Sequence, residues 1–263
     1  MKFHLNFMGI GVLGFLTTLT GGKREQLLLG FAKKAISVSS PLQAPKGGGG
    51  RNERCWENPL HVRAMESIQN KSIPIVCLDG VAGTGKTMMA VMEGLDAVMR
   101  KDYDNLVITR PYLGSGREMG FLKGDMQTKM HPFILPMLNY VQEWEEERNV
   151  KFPVSKMKIF PLGFMRGQTF KRCFVIADEM SNSTPEEMRM LLTRIGEHSK
   201  MVLTGDFEQS DLDTPSEGKN GWVDLKNRLL NHSSFYFIAW HHFDETCIRR
   251  HGMLSLIHEL YKE

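Results

Sequence analysis

The sequence is poor in cysteine, with four in 263 residues: Cys55, Cys77, Cys173 and Cys247. No two of them form a C-x-x-C pair, so the chain lacks the close pairs on which a disulfide framework or a zinc knuckle is built. Because nothing in this pattern requires an oxidising environment, we expect the protein to function in a reducing compartment.

A long apolar run is also missing. The apolar stretch at residues 7–19 falls short of the roughly 20 residues that a membrane-spanning helix needs. Its length is closer to the apolar part of a signal peptide, but only Lys2 and His4 precede it and no small-x-small cleavage site follows. We expect a cytoplasmic protein without a membrane anchor, in which this stretch is a peripheral helix, a partner-binding segment or an extension that does not fold.

Strong charge of one sign is absent from most of the chain. The formal net charge is +3, and residues 1–56, with eight Lys or Arg against two acids, carry +6 of it, which leaves −3 for the remaining 207 residues. Bulk charge therefore does not indicate nucleic-acid binding by the main part of the chain, where any such surface would have to be a local patch.

Bulky side chains are scarce in residues 37–52, which contain two prolines and four consecutive glycines. Such a composition has little to bury and stays flexible. We therefore predict an N-terminal extension with a glycine-rich linker at residues 1–50 and one folded domain at residues 51–263.

After the linker, short apolar runs alternate with helical periods, as in a parallel sheet covered by helices. The predicted strands are residues 73–78, 106–109, 174–177, 201–204 and 235–239. A helix is predicted after Thr184, because Thr184 and Glu187 form a capping box, Pro185 occupies the first helical position, and Met188, Leu191, Leu192 and Ile195 follow at helical spacing.

A phosphate-binding loop follows the first predicted strand. The run Gly80-Val81-Ala82-Gly83-Thr84-Gly85-Lys86-Thr87 matches G-x-x-x-x-G-K-[ST] and opens a helix near Lys86. Its backbone N–H groups, continuing to Met88, are expected to surround the phosphates of ATP, with Lys86 reaching the β and γ phosphates. The Thr87 hydroxyl is expected to bind Mg²⁺.

Two adjacent acids end another apolar run. Asp178 and Glu179 follow residues 174–177, and open α/β sheets bind ligands at the carboxyl ends of their strands. We expect Asp178 to hold the Mg²⁺ and Glu179 to orient or deprotonate the attacking water. Asp206 and Gln209, after the next strand, are expected to lie near the γ-phosphate and to sense its presence.

The order and spacing of further blocks resemble those of PhoH-like ATPases. These blocks are Thr109-Arg110-Pro111, residues 120–125, Pro132 and Pro136, residues 161–169, the Asp178-Glu179 pair, residues 192–196, residues 199–202 and Thr204-Gly205-Asp206. The resemblance covers residues 58–261. It implies a single RecA-like P-loop NTPase domain of the α/β class, with a mostly parallel sheet flanked by helices, similar to the N-terminal half of superfamily-one helicases.

That resemblance implies functions for two arginines. Arg110 and Arg166 would lie near nucleic acid or phosphate, although Arg110 could equally cap a strand end and Arg166 could equally form an ion pair. Two blocks depart from the family pattern. Asn58-Pro59-Leu60-His61 stands where related ATPases often carry an adenine-reading glutamine, and Arg117 and Lys123 replace an acid and a proline in residues 116–124.

Three functions compete. The first is an ATPase coupled to RNA or single-stranded nucleic acid, and the second is a slow nucleotide-gated switch that binds partners without motor activity. A metabolite kinase is the third, and Gln209 and the acid pair argue against it. About 50 residues follow Gln209, so we expect neither a second RecA-like domain nor a fused nuclease.

The absence of a second domain suggests a homo-oligomeric ring. An arginine usually neutralises transition-state charge on the γ-phosphate, in cis or from a neighbour. Arg249, Arg250 and His251 resemble the arginine-histidine block near the end of PhoH-like chains, so Arg250 or Arg249 would reach a neighbouring subunit's nucleotide. The alternative is the solvated start of a basic helix.

Overall fold

The computed structural model describes residue 56 and residues 58–111, 126–207, 220–231 and 236–248, with backbone alone for 126–133. The chain divides into two compact units, Met1–Glu53 with Glu118–Pro136 and Arg54–Arg117 with Met137–Glu263. The sheet and the candidate site belong to the second unit. The predicted extension and linker lie outside the described residues, so the boundary at residue 50 stays a prediction.

Among the described residues, six strands alternate with five α-helices. In chain order they are α1 Pro59–Gln69, β1 Ile75–Gly80, α2 Lys86–Met99, β2 Asn105–Arg110, α3 Met126–Arg148, β3 Met157–Pro161, β4 Cys173–Ala177, α4 Pro185–Leu192, β5 Lys200–Gly205, α5 Gly221–Leu230 and β6 Ile238–Phe243. Short 3₁₀ turns at Leu162–Phe164, Met180–Asn182 and Glu245–Cys247 follow β3, β4 and β6. None of the described helices combines the length and the apolarity needed to cross a bilayer.

The strands form one sheet in the order β3-β2-β4-β5-β1-β6, and every neighbouring pair is parallel. Strand β5 therefore lies between β1, which leads into the phosphate-binding loop, and β4, which leads into the acid pair. Because all strands run the same way, their carboxyl ends meet at one edge. This is the predicted α/β fold of the RecA-like class, with a parallel sheet flanked by helices.

Both faces of the sheet are covered, which explains why the central strands are continuous apolar runs. Residues such as Val76, Ile108 and Ile176 pack with α1, α2 and α3 on one face. Their neighbours in sequence point to the other face, where α4 and α5 pack. Buried side chains on both faces hold the strand ends in register at the carboxyl edge.

Most predicted elements are confirmed, with differences at the start of one strand, at one strand that was not predicted and at the end of one helix. Four predicted strands correspond to β1, β2, β4 and β5, whereas β6 begins at Ile238 rather than residue 235, and β3 was not predicted. The capping box of Thr184 and Glu187 is confirmed, with both of its hydrogen bonds present. The helix ends at Leu192, so Ile195 leaves it and instead forms a β-bridge with Phe170.

Candidate active site

The phosphate-binding loop connects β1 to α2 as predicted. Gly80 ends β1, and Gly85 precedes the first helical residue, Lys86, with a left-handed φ of 88°. A side chain at Gly80 would place its Cβ 2.0 Å from the carbonyl oxygen of Phe243 in β6, so only glycine allows this approach. Strand, loop and helix N-terminus thus form the context in which this motif binds phosphate.

The Lys86 side chain folds back onto the loop. Its ammonium donates to the carbonyl oxygens of Gly80 and of Val81, the latter at 2.9 Å, and lies 3.4 Å from Thr84 Oγ1. Burial lowers the pKa of Lys86, while the nearby carboxylates of Asp206, Glu179, Asp79 and Asp178 oppose that change. The amine is therefore held among acids at the carboxyl edge of the sheet.

Thr87 and Asp178 are joined although they are 91 residues apart in the chain. The Thr87 hydroxyl donates to Asp178 Oδ1 at 2.7 Å, and the Thr204 hydroxyl donates to the same oxygen at 2.7 Å. Asp178 is 3% exposed. Strands β4 and β5 and the start of α2 therefore converge on one buried carboxylate.

Glu179 has a left-handed backbone, with φ 56° and ψ 41°, in which a non-glycine residue typically costs about 1 kcal/mol or more. Its N–H donates to Thr204 Oγ1 at 3.2 Å. Burial, and then the charge of Asp178, raise the pKa of its carboxyl group, whereas Arg110 and Lys86 lower it. A carboxyl group with a raised pKa is better suited to accept a proton near neutral pH.

Arg110 ends β2 beside the two acids. Its guanidinium nitrogens lie 3.8 Å from Asp178 Oδ2 and 3.4 Å from Glu179 Oε1. Arg110 therefore pairs with both acids at the carboxyl edge, and its contact with phosphate or nucleic acid stays a prediction. Asp206 follows β5 and is 4% exposed, and its charge acts on Lys86.

Several predicted site residues cannot be assigned a position. Gln209 and the Arg249-Arg250-His251 block lie outside the described residues, as does the departing block at 116–124. The remaining predicted residues, Gly80, Val81, Ala82, Gly83, Thr84, Gly85, Lys86, Thr87, Met88, Asp178, Glu179 and Asp206, all fall at the carboxyl edge of the sheet or in the loop and helix that follow β1.

One buried network was not predicted from the sequence. Asp79, the residue before the loop, is fully buried and accepts from Trp222 Nε1 at 3.0 Å and from His242 Nδ1 at 2.7 Å. Trp222 also packs on Gly205, where a Cβ would lie 2.5 Å from the indole. An acid at the end of an apolar strand was the available signal, but its partners are 143 and 163 residues away.

The block that departs from the usual adenine-reading sequence contacts the loop from its other side. His61 is 1% exposed and lies 2.7 Å through Nε2 from the Thr84 carbonyl oxygen, which can only accept, so Nε2 carries the hydrogen. Asn58 caps α1 and its amide donates to Thr246 after β6 at 3.3 Å. These contacts support the loop and leave the base preference open.

The fold and this loop define the chain as a P-loop NTPase of the RecA-like class. A family model described as PhoH-like protein matches residues 58–262. PhoH-like proteins of Synechocystis sp. and Bacillus subtilis are each 36% identical, over 200 and 184 residues. These matches cover 75% and 69% of this chain but 59% and 56% of those proteins, so the chain spans little more than half their length. The chain belongs to the PhoH family.

Two solved structures are also similar. The N-terminal domain of the DNA packaging ATPase from bacteriophage phi29 has a TM-score of 0.42 and 12% identity, covering 65% of this chain and 91% of that one. Pif1 helicase from Candida albicans has a TM-score of 0.34 and 13% identity, covering 71% of this chain and 40% of that one.

Proposed function

We propose that the chain is a Mg²⁺-dependent ATPase whose hydrolysis cycle is coupled to RNA or single-stranded nucleic acid. The observation that carries the proposal is the 2.7 Å contact between the Thr87 hydroxyl and Asp178 Oδ1. It joins the helix that would bind phosphate to the strand end that supplies the acids. Two isolated motifs thereby become one site.

The residues present fit a bound Mg²⁺. A hydroxyl and a carboxylate are hard oxygen ligands of the kind that Mg²⁺ takes, and protein groups commonly supply one or two of them while phosphates and water supply the rest. Thr87 and Asp178 would hold the ion, which supplies charge to neutralise the β and γ phosphates. No set of three described His, Cys, Asp or Glu side chains forms a metal site without such help.

Lys86 and the loop would hold the phosphates of ATP. When phosphate oxygens approach, the Lys86 ammonium exchanges the carbonyl oxygens of Gly80 and Val81 for charged acceptors, which bind it more strongly. The N–H groups from Gly80 through Met88 add partial positive charge at the start of α2. Asp206, whose charge acts on Lys86, would keep the amine protonated.

Glu179 would act as the base. Its raised pKa and partly exposed carboxylate suit it to orient a water and accept its proton at Oε1 or Oε2. The water oxygen would attack the γ-phosphorus while the bond from that phosphorus to the β–γ bridging oxygen breaks, so that ADP leaves. Arg110, 3.4 Å from Oε1, would position that carboxylate. On the sequence alone, Gln209 is proposed to complete the site by sensing the γ-phosphate.

Coupling to nucleic acid rests on the resemblance to superfamily-one helicases and on Arg110, which links the acid pair to the neighbouring strand end. The competing function is a slow nucleotide-gated switch without motor activity. Phosphate release from ATP, measured with and without Mg²⁺ and with added RNA, single-stranded DNA or duplex, separates the two. We expect Mg²⁺-dependent turnover that single strands stimulate; slow turnover indifferent to every nucleic acid would favour the switch.

We also propose a homo-oligomeric ring in which Arg250 acts on a neighbour's nucleotide, a proposal that rests on the sequence. An Arg250→Ala variant should bind ATP but hydrolyse it slowly. Mixing it with Lys86→Ala protein should restore turnover where an intact loop meets an intact arginine. Absence of rescue in a mixture shown to co-assemble would refute this arrangement.

A further inference from the structure

The turn after β3 exposes an aromatic ring between two anchored residues. Phe164 is 48% exposed, whereas Leu162 and Met165 on either side are 1% and 0% exposed. The Met165 N–H donates to the Leu162 carbonyl at 3.1 Å, and helix α4 packs against the turn. The residues on either side of Phe164 are therefore fixed in the core, while its ring points into solvent.

Gly163 in this turn is not explained by folding. Its φ lies outside the left-handed region, and a Cβ built there would meet nothing within 4 Å. Gly167, two residues after Met165, also faces open space, but its φ of 76° lies in the left-handed region, which accounts for a glycine there. At Gly163, where neither conformation nor packing requires glycine, the missing side chain leaves the backbone open to the close approach of another molecule.

Two arginines lie at this turn. Arg166 is exposed and has no ion-pair partner among the described residues. Arg194 reaches the carbonyl of Gln168 at 3.4 Å, and Gln168 Nε2 lies 3.5 Å from the Phe164 carbonyl. Arg166 and Arg194 thus place two positive charges beside this turn, a local feature of the kind that nucleic-acid binding requires.

The turn is also connected to the acid pair. Pro161, the last residue of β3, is paired in register with Arg110 at the end of β2. Arg110 in turn contacts Asp178 and Glu179. The end of β2, with Arg110, therefore lies between the turn that carries Phe164 and the acids proposed to act in ATP hydrolysis.

We infer that the turn formed by Gly163, Phe164 and Arg166 binds single-stranded nucleic acid, with a base stacked on Phe164, the backbone passing over Gly163 and a phosphate on Arg166. Exposed aromatic rings beside arginines bind single strands in this way, because every base has a stacking face. The inference rests on the nucleic-acid coupling proposed above and assigns it a surface.

The test is the anisotropy of fluorescent 20-nucleotide oligouridylate and oligothymidylate titrated with the full chain. Phe164→Ala should weaken binding at least about fivefold, the lower end of the effect of losing one stacked base. Phe164→Leu should weaken it similarly, whereas Phe164→Trp should retain it. Gly163→Leu should weaken it by a comparable factor without lowering the melting temperature, because the new side chain enters open space.

Two variants serve as matched controls. Tyr236→Ala removes another exposed aromatic, 87% exposed and preceding β6 at the opposite edge of the sheet, and Arg63→Ala removes an exposed charge from α1. Both should bind as the unaltered chain does, and all variants should bind ATP normally. Unchanged binding by Phe164→Ala, Phe164→Leu or Gly163→Leu overturns the inference and leaves the coupling intact. If the unaltered chain binds neither oligonucleotide, the coupling itself fails.

Discussion

The two edges of the sheet each hold a lysine, partly buried at the carboxyl edge and fully buried at the amino edge, and the two lysines have different surroundings. Lys86 at the carboxyl edge donates to the carbonyl oxygens of Gly80 and Val81. Lys200 at the amino edge, fully buried, donates to the carbonyl oxygens of Ser67, Asn70 and Ile73. Burial lowers the pKa of both amines, that of Lys200 to about 7.

Their charged neighbours differ. Four carboxylates, of Asp206, Glu179, Asp79 and Asp178, act on Lys86, whereas Glu93 alone acts on Lys200. The three N–H donors of the Lys200 ammonium match three carbonyl oxygens at the end of α1 and in the turn into β1. Lys200 therefore stabilises the connection between α1 and β1. A lysine's burial and lowered pKa therefore do not identify a ligand site. What distinguishes Lys86 is its position in a glycine-rich loop beside several carboxylates.

The largest expected effect is at the carboxyl edge. Glu179→Gln should lower the rate of ATP turnover about 10²- to 10⁴-fold, the usual contribution of a general base, while ATP affinity is retained. Glu187→Gln is the control, because a glutamine can still cap α4. Because its pKa is raised, the Glu179 carboxyl group takes up a proton at a higher pH than an ordinary glutamate does. As the pH is lowered, turnover by the unaltered chain should therefore begin to decrease at a higher pH than it would with an ordinary glutamate as the base. Equal turnover by both variants would remove Glu179 from the mechanism.

Lys86→Ala should weaken ATP binding about 100-fold or more, because the β and γ phosphates lose charge-assisted hydrogen bonds. The melting temperature should stay close to that of the unaltered chain. Calorimetric titration with ATP measures the first and thermal unfolding the second. A variant that binds ATP normally but unfolds early would make Lys86 a structural residue like Lys200.

The opposite pattern is expected for Lys200→Met. Loss of the donor leaves three carbonyl oxygens without it, which should lower the free energy of unfolding by about 3 kcal/mol. Lys71→Met, which breaks an exposed ion pair with Asp102, should cost less than about 1 kcal/mol. Urea unfolding measures the stability of the two variants. In buffer without urea, both variants should bind ATP with the affinity of the unaltered chain. Equal stabilities would show that the amino-edge lysine is dispensable.

The same amino-edge lysine also predicts a dependence of stability on pH. The pKa of Lys200 is about 7 in the folded chain, whereas an unfolded lysine keeps its proton up to about pH 10.4. Between these two pKa values the unfolded chain binds more protons than the folded chain, so the free energy of unfolding rises with pH. The stability that Lys200 gains by losing its proton in the folded chain is lost as the pH falls towards 7. The difference in stability between the unaltered chain and Lys200→Met should therefore grow from pH 7 to pH 10. A constant difference would contradict the lowered pKa.

The sequence was sufficient wherever the chemistry is contiguous. Gly80 to Thr87 could be predicted because one stretch of backbone makes the phosphate-binding loop, and the capping box because its two residues are three apart. Strand β3 was missed because it lies at the edge of the sheet, where Met157, Ile159 and Phe160 are only partly buried and no clean apolar run develops.

The rest of the site depends on register between distant strands. Thr204 reaches Asp178 because β5 lies beside β4, and His242 reaches Asp79 because β6 lies beside β1. No local pattern encodes which strand is the neighbour. For the same reason the sequence did not show that Arg110 pairs with Asp178 and Glu179, which follows from the position of β2 beside β4.

The central claim is that the carboxyl-edge lysine is held for a ligand and the amino-edge lysine for the fold. A crystal structure of the chain with Mg²⁺ and a non-hydrolysable ATP analogue tests it directly. We expect Lys86 Nζ to leave the carbonyl oxygens of Gly80 and Val81 for phosphate oxygens, while Lys200 keeps Ser67, Asn70 and Ile73. A bound nucleotide that leaves Lys86 on both carbonyl oxygens, or one bound away from this edge, would contradict the claim.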